Sequence, residues 1–203
     1  MSQGVPNGQI ACFTARKLAQ IQCQAGESSF RSTLAHLRQG IGRVPGDMPQ
    51  LWGFFLSEMP EKWMGNSEPS KAEWAIYLAL TLFALHQQGQ DPNTAWMSQP
   101  GASLGKAVAR LIESPEDEKR ISRRFFALAT ASSMEELAQH IRSLVQLLRS
   151  KSIPLDYPAL AENLYWYQHT NSQAQVRLRW GQDFYYHTQI KQNDNDKEAV
   201  KDE

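Results

Sequence analysis

The chain is poor in the features that mark enzymes, secreted modules and membrane proteins. Of its 203 residues only two are cysteines, Cys12 and Cys23, which show neither CxxC spacing nor a neighbouring histidine pair. That excludes a disulfide framework and a thiolate metal site, and each thiol is expected as a small buried hydrophobe in a reducing compartment. The longest apolar run, residues 74–85, falls short of the ~20 residues that a bilayer-spanning helix needs. The first residues carry no basic stretch leading into an apolar one, so a cytoplasmic location is expected. His36, His86, His140, His169 and His187 fall on separate segments, and none has HExxH or Glu-x-x-His spacing. Gly101 and Gly105 stand one residue too close for a phosphate-binding loop, Ala107 replaces the magnesium-binding Ser or Thr, and no strand precedes them. Without a nucleophile motif or clustered carboxylates, the expectation is no metal, no cofactor, no small-molecule substrate and no catalysis.

Strand-like alternation is missing too. Every apolar pattern has a helical period, which predicts an all-α fold, a helical bundle of about eight or nine helices in two halves. Residues 1–95 are read as an N-terminal helical half, 96–190 as a C-terminal bundle and 191–203 as a disordered charged tail, with 1–8 loose. In the first half, a helix over 9–24 turns Ile10, Leu18 and Ile21 inward and leaves Arg16 and Lys17 exposed. A second, over 29–39, buries Phe30, Leu34 and Leu37 and carries Arg31 and Arg38 outside; a loop with Arg43 follows, then a helix capped by Asp47. Ser70 and Glu73 form a capping box opening a helix that is apolar almost all round and therefore buried between others. His86, near its end, is expected to complement the helix dipole. Turn formers over 89–100 mark the boundary, although Trp96 and Met97 there imply packing.

The second half opens with Leu104, Val108 and Leu111 as one apolar stripe. A helix start follows at Ser114-Pro115 with Glu116, Asp117 and Glu118 in the first turn, a stripe of Ile121, Phe125 and Leu128 with Phe126 off it, and Glu116 placed to pair with Arg120. Ser133 with Glu136 makes another capping box before Leu137, Ile141, Leu144 and Leu148. Asp156 caps a helix carrying Leu160, Leu164 and Tyr167, and a last helix over 172–187 turns Val176, Trp180 and Phe184 inward.

Lys plus Arg and Asp plus Glu both number 21, yet residues 101–151 hold nine cations against six acids and 191–203 hold three against five. Lys106 and Arg110 lie one turn apart; Lys119, Arg120, Arg123 and Arg124 cover the flank and outer face of the next helix; Arg142 and Arg149, seven apart, share the face opposite their stripe. Such a face fits a solvated surface, a helical scaffold for acidic partners with Tyr165 and Trp166 as a docking patch, or a site for a phosphate backbone. Spacing does not separate these readings.

Gly101-Ala-Ser-Leu-Gly-Lys106 before an arginine-rich helix, then Ile153-Pro-Leu-Asp-Tyr-Pro158, Leu164-Tyr-Trp166 and the 177–184 segment RLRWGQDF, together resemble CasB, the small-subunit family of the type I-E CRISPR Cascade complex. The resemblance runs in order from about Pro100 to His187. It implies a non-catalytic subunit present in two copies beside the guide RNA and target DNA, bound to other Cascade subunits. Base pairing by the guide would then supply specificity, and the protein would need only cations and aromatic area. The candidate nucleic-acid contacts are Lys106, Arg110, Arg120, Arg123, Arg124 and Arg142 within the matched stretch, and Arg16, Arg31, Arg38 and Arg43 outside it.

Overall fold

The computed structural model describes residue 5 and residues 7–199, with side chains as far as Gln189. Among the described residues there are nine α-helices and no strand: α1 (Gln9–Cys23), α2 (Ser28–Gln39), α3 (Pro49–Phe55), α4 (Lys71–His86), α5 (Leu104–Ala109), α6 (Pro115–Thr130), α7 (Met134–Ser150), α8 (Tyr157–Tyr167) and α9 (Thr170–Ala199). A single 3-10 turn at Glu61–Trp63 lies between α3 and α4.

The capping box of α4 is complete. Ser70 Oγ accepts from the Glu73 N–H at 3.1 Å, and the Glu73 carboxylate accepts from the Ser70 N–H at 2.6 Å. Every residue from Ala75 to His86 is buried, because α1, α2, α7 and α8 all pack on this helix. One continuous core therefore runs from Val5 to Phe184 across both halves of the sequence. The 89–100 connection is pinned rather than free. The Gln87 amide donates to the Ala95 carbonyl at 3.0 Å and accepts from the Met97 N–H at 2.9 Å, and an isolated bridge joins Ser98 to Leu155. Gly105 has a packing role: a Cβ there would press on the Trp180 carbonyl and the Phe184 N–H, so only glycine lets α5 lie this close to α9. Below that crossing, Phe125 and Phe184 stack at 4.5 Å.

Several expectations need correction. Lys17 is fully buried: its amine donates to the Ser57 carbonyl and to Ser57 Oγ, both at 2.7 Å, and lies over the rings of Phe13 and Phe54. The acceptors arrive from 40 residues away, which the period of α1 does not reveal. Cys12 and Cys23 are exposed, since three turns separate them on the side of α1 opposite Ile10, Phe13 and Ile21. Asp47 caps nothing; Met48 is the N-cap of α3 and Pro49, which has no N–H to satisfy, takes the first position. Arg120 pairs with Asp117 at 2.6 Å instead of Glu116, because the Ser114 cap already holds Asp117 in place. At α7 only half a box forms: Ser133 accepts from the Glu136 N–H, while the Glu136 carboxylate turns to Ser132.

The chain ends differ as well. Val5 is buried with its N–H on the Tyr165 hydroxyl, and Glu162 receives the N–H groups of Gly8 and Ala11 at the start of α1. Residues 1–4 and 6 lie outside the described residues. Helix α9 continues to Ala199 where a disordered tail was expected from residue 191, and no proline or glycine after Gly181 interrupts it. Residues 200–203 lie outside the described residues.

His86 is buried rather than a charged partner of the helix end. Its Nδ1 sits 2.9 Å from the Tyr157 hydroxyl, which in turn donates to the Leu82 carbonyl at 3.3 Å. Burial pushes the imidazole down to about 4, with the backbone at Ile153 opposing the shift.

Two stability predictions follow from these buried groups. Lys17→Ala, which leaves a cavity and strips the Ser57 carbonyl of its partner, should lower unfolding free energy by about 2–4 kcal/mol, and Lys17→Met by less. Denaturant midpoints check this, and an unchanged midpoint for Lys17→Ala would refute the buried amine. For His86 the unfolded state binds a proton near pH 6.5 that the folded state refuses until about pH 4. Its contribution is therefore intact above pH 6.5 and is lost as pH falls towards 4, by up to about 3 kcal/mol. Stability of His86→Leu measured across this range should show a correspondingly flatter curve, whereas a curve parallel to wild type would contradict the assignment.

Candidate nucleic-acid interface

Helix α7 organises the basic surface. Ser133 fixes its start, and Leu137, Ile141, Leu144, Val145 and Leu148 bury one side. Arg142 and Arg149, two turns apart, project from the same flank, beside the contact with α4. The facing wall is the loop after α2. Tyr77 donates its O–H to the Gly40 carbonyl at 3.1 Å, and the hydroxyl lies so close that Gly40 has no room for a Cβ. Burial, and then Asp47, push the Tyr77 phenol up to about 12, so it stays a donor. With the loop anchored, Arg43 Nε donates to the Gln39 carbonyl at 3.1 Å, and Arg43 lines one cleft together with Arg142.

Arg38, in the last turn of α2, comes near Arg149; burial first, and then the Arg149 charge, lower its pKa. Arg149 itself donates to Gln88 Oε1 at 2.9 Å. Four arginines from α2, its loop and α7 thus gather on one flank, and among the described residues none of the four forms an ion pair. Like charges held this way repel, and an anion entering between them would relieve that repulsion.

The other candidates are placed as follows. Arg123 and Arg124 are exposed on α6, and Arg124 reaches across to Ser143 of α7 at 3.3 Å. Arg120 is engaged by Asp117, whose carboxyl it holds below the usual range. Nearby, Lys151 pairs with Glu113 at 2.7 Å and is raised by it. Lys106 is half-buried on α5, and Arg110 is exposed just past that helix. Arg31 shares a second cleft with Arg38, beside the 87–93 loop. Arg16 lies over the Phe13 ring, 5.5 Å from its centroid, and lines neither cleft. Arg149, absent from the candidate set, belongs with this group, and its seven-residue spacing from Arg142 was the signal for it.

The expected aromatic patch is largely packed. Tyr165 is buried and Trp166 donates its indole N–H to Glu162 at 2.7 Å. Exposed aromatic area lies instead at Trp52, Phe126, Tyr185 and Tyr186, with Phe126 and Tyr185 stacked at 6.4 Å and Leu178 nearby in sequence on the outer side of α9. Among the described residues no group of three or more His, Cys, Asp or Glu could hold a metal ion, and no helix is long and apolar enough to cross a membrane.

Residues 33–185 match the family described as CRISPR-associated protein Cse2. The crystal structure of CasB from Thermobifida fusca is 32% identical, with a TM-score of 0.72 over 88% of this chain and 97% of that one. CasB from Thermus thermophilus is 22% identical, with a TM-score of 0.63 over 85% and 97%. A chain of a CRISPR RNA-guided surveillance complex shares the fold at 19% identity, with a TM-score of 0.73 over 92% and 99%. Among curated proteins no match was found. A family match over three quarters of the sequence, and a fold shared with CasB at 32% identity, lead to one assignment: the chain belongs to the CRISPR-associated Cse2 family.

Proposed function

We propose that this chain is the non-catalytic small subunit of a type I-E Cascade complex, and that its arginine flank binds nucleic-acid backbone without reading sequence. Its partners are the other Cascade subunits, the guide RNA, the target DNA and a second copy of itself. The observation that carries the reading is the convergence of Arg38, Arg43, Arg142 and Arg149 on one flank, with Arg123 and Arg124 on the neighbouring helix. Guanidinium groups without carboxylate partners suit phosphate oxygens, and a row of them holds a strand by charge alone. Opening a target duplex for guide pairing is a nearly balanced exchange, so modest contacts to the separated strands decide how far it runs and stabilise the R-loop.

The exposed Phe126, Tyr185 and Tyr186 favour a second reading, a helical scaffold that touches only proteins. A charge-reversal experiment separates the two. The variant Arg43→Glu, Arg123→Glu, Arg124→Glu, Arg142→Glu should stay folded, since all four residues are exposed. In the assembled complex it should weaken capture of duplex target and flatten log affinity against log salt by about 0.7 per lost single-strand contact. Lys62→Glu, Lys71→Glu, Lys191→Glu, Lys197→Glu is the control for net charge. Equal weakening by both sets would mean diffuse charge rather than a defined face. Loss of incorporation into the complex, with strand binding intact, would favour the scaffold.

A further inference from the structure

We infer that the cleft between the 40–44 loop, α4 and α7 is a slot for one unpaired nucleotide, with the base entering against Ile41, Trp74, Leu78 and Ala138 and its phosphate resting between Arg43 and Arg142. This rests on the backbone-binding reading above and adds to it a base-accepting site.

Size is the first argument. The cleft holds about 140 Å³, close to the roughly 150 Å³ of an apolar cavity that takes one benzene ring. It is too small for an ordinary multi-ring ligand, whose sites run to roughly 300–1,000 Å³, and it suits a single pyrimidine-sized ring. Chemistry is the second. Aliphatic and indole surfaces form the walls, and the two buried hydroxyls have partners already: that of Tyr77 is spent on Gly40 and that of Thr81 on the Leu78 carbonyl. The walls therefore ask for an apolar face rather than hydrogen bonds.

Charge at the mouth is the third. Arg43 comes from the loop and Arg142 from α7, so two cations reach the opening from separate elements. An apolar side chain of a protein partner would fill the walls and leave both cations idle. A nucleotide satisfies walls and cations together. Glu135, two turns before Arg142 and so about 10 Å along the helix axis, stands away from the phosphate end. There its carboxylate, with the Gln139 amide, can meet the polar edge of a base. The rim then sums to one positive charge, which a single phosphate diester matches. Anchoring of the loop through Tyr77 keeps the slot formed before a strand arrives, so binding does not also have to order it.

The test compares the full chain on short oligo-deoxythymidine and on an abasic strand of equal length, at several salt concentrations. Wild type should prefer the base-bearing strand at least fivefold, the worth of roughly one stacked base. Ala138→Trp, which fills the slot from α7, should bring that preference close to one without changing the salt slope. Arg43→Glu, Arg142→Glu should instead weaken both strands and flatten the slope. Ala138→Leu fills the slot in part and is measured beside it, so that a folding defect in the tryptophan variant does not decide the outcome. If the strands bind with a steep salt slope but wild type shows no preference, or if the filled variants retain it, the slot is refuted and the backbone reading stands. If neither strand binds at any salt, both fall. If filling the slot leaves strand preference intact and blocks incorporation into the complex, the cleft receives a protein side chain and the inference is wrong.

Discussion

Burial of α4 on all sides is the constraint from which the rest of the architecture follows. A helix with apolar side chains around its whole circumference must be enclosed, and here α1, α2, α7 and α8 enclose it. Enclosure also buries the few polar groups α4 carries, and each then needs a partner. Tyr77 finds Gly40, His86 finds Tyr157, and Gln87 finds Ala95 and Met97. Those four bonds set the loop after α2, the start of α8 and the connection between the halves. The basic flank is thus a by-product of how the central helix satisfies its own interior.

The same packing explains how several arginines come to share a small area. Arg38 and Arg43 belong to one part of the chain, Arg142 and Arg149 to another, and only the docking of α2 and α7 on α4 sets them side by side. Local pairs on α6 and near α5 neutralise other cations: Asp117 takes Arg120, and Glu113 takes Lys151. The α7 flank, with Arg123 and Arg124 beside it, keeps its cations without carboxylate partners among the described residues. Aromatic area behaves in the same divided way. Tyr165 is consumed in docking Val5, while Phe126 and Tyr185 stay outside as a stacked pair over the buried Phe125 and Phe184.

Much of this was legible in the residues. The helix starts at Ser70, Ser114, Ser133 and Asp156, the inward stripes of α6 and α7, and the enclosure of α4 all follow from capping chemistry and from a period of 3.6, which are properties of a helix by itself. The resemblance to CasB, carried by short motifs between Pro100 and His187, agreed with a family match spanning residues 33–185. What periodicity could not reach were the groups whose partners lie far along the chain. Lys17 looked exposed because its acceptors on Ser57 belong to another helix end, and His86 looked charged because Tyr157 lies 71 residues away. Gly105, whose spacing from Gly101 had already excluded a phosphate loop, gained a role only through its contact with α9.

The sequence by itself therefore determined the helices, their buried faces and the abundance of cations in the second half, since each depends on neighbours within a turn or two. Only the tertiary structure decided which cations are neutralised, which are buried and which stand together, because charge acts through space. The distances that govern it, between Arg43 and Arg142 across a cleft or between Arg38 and Arg149 across two helices, are set by packing on α4 and by nothing local.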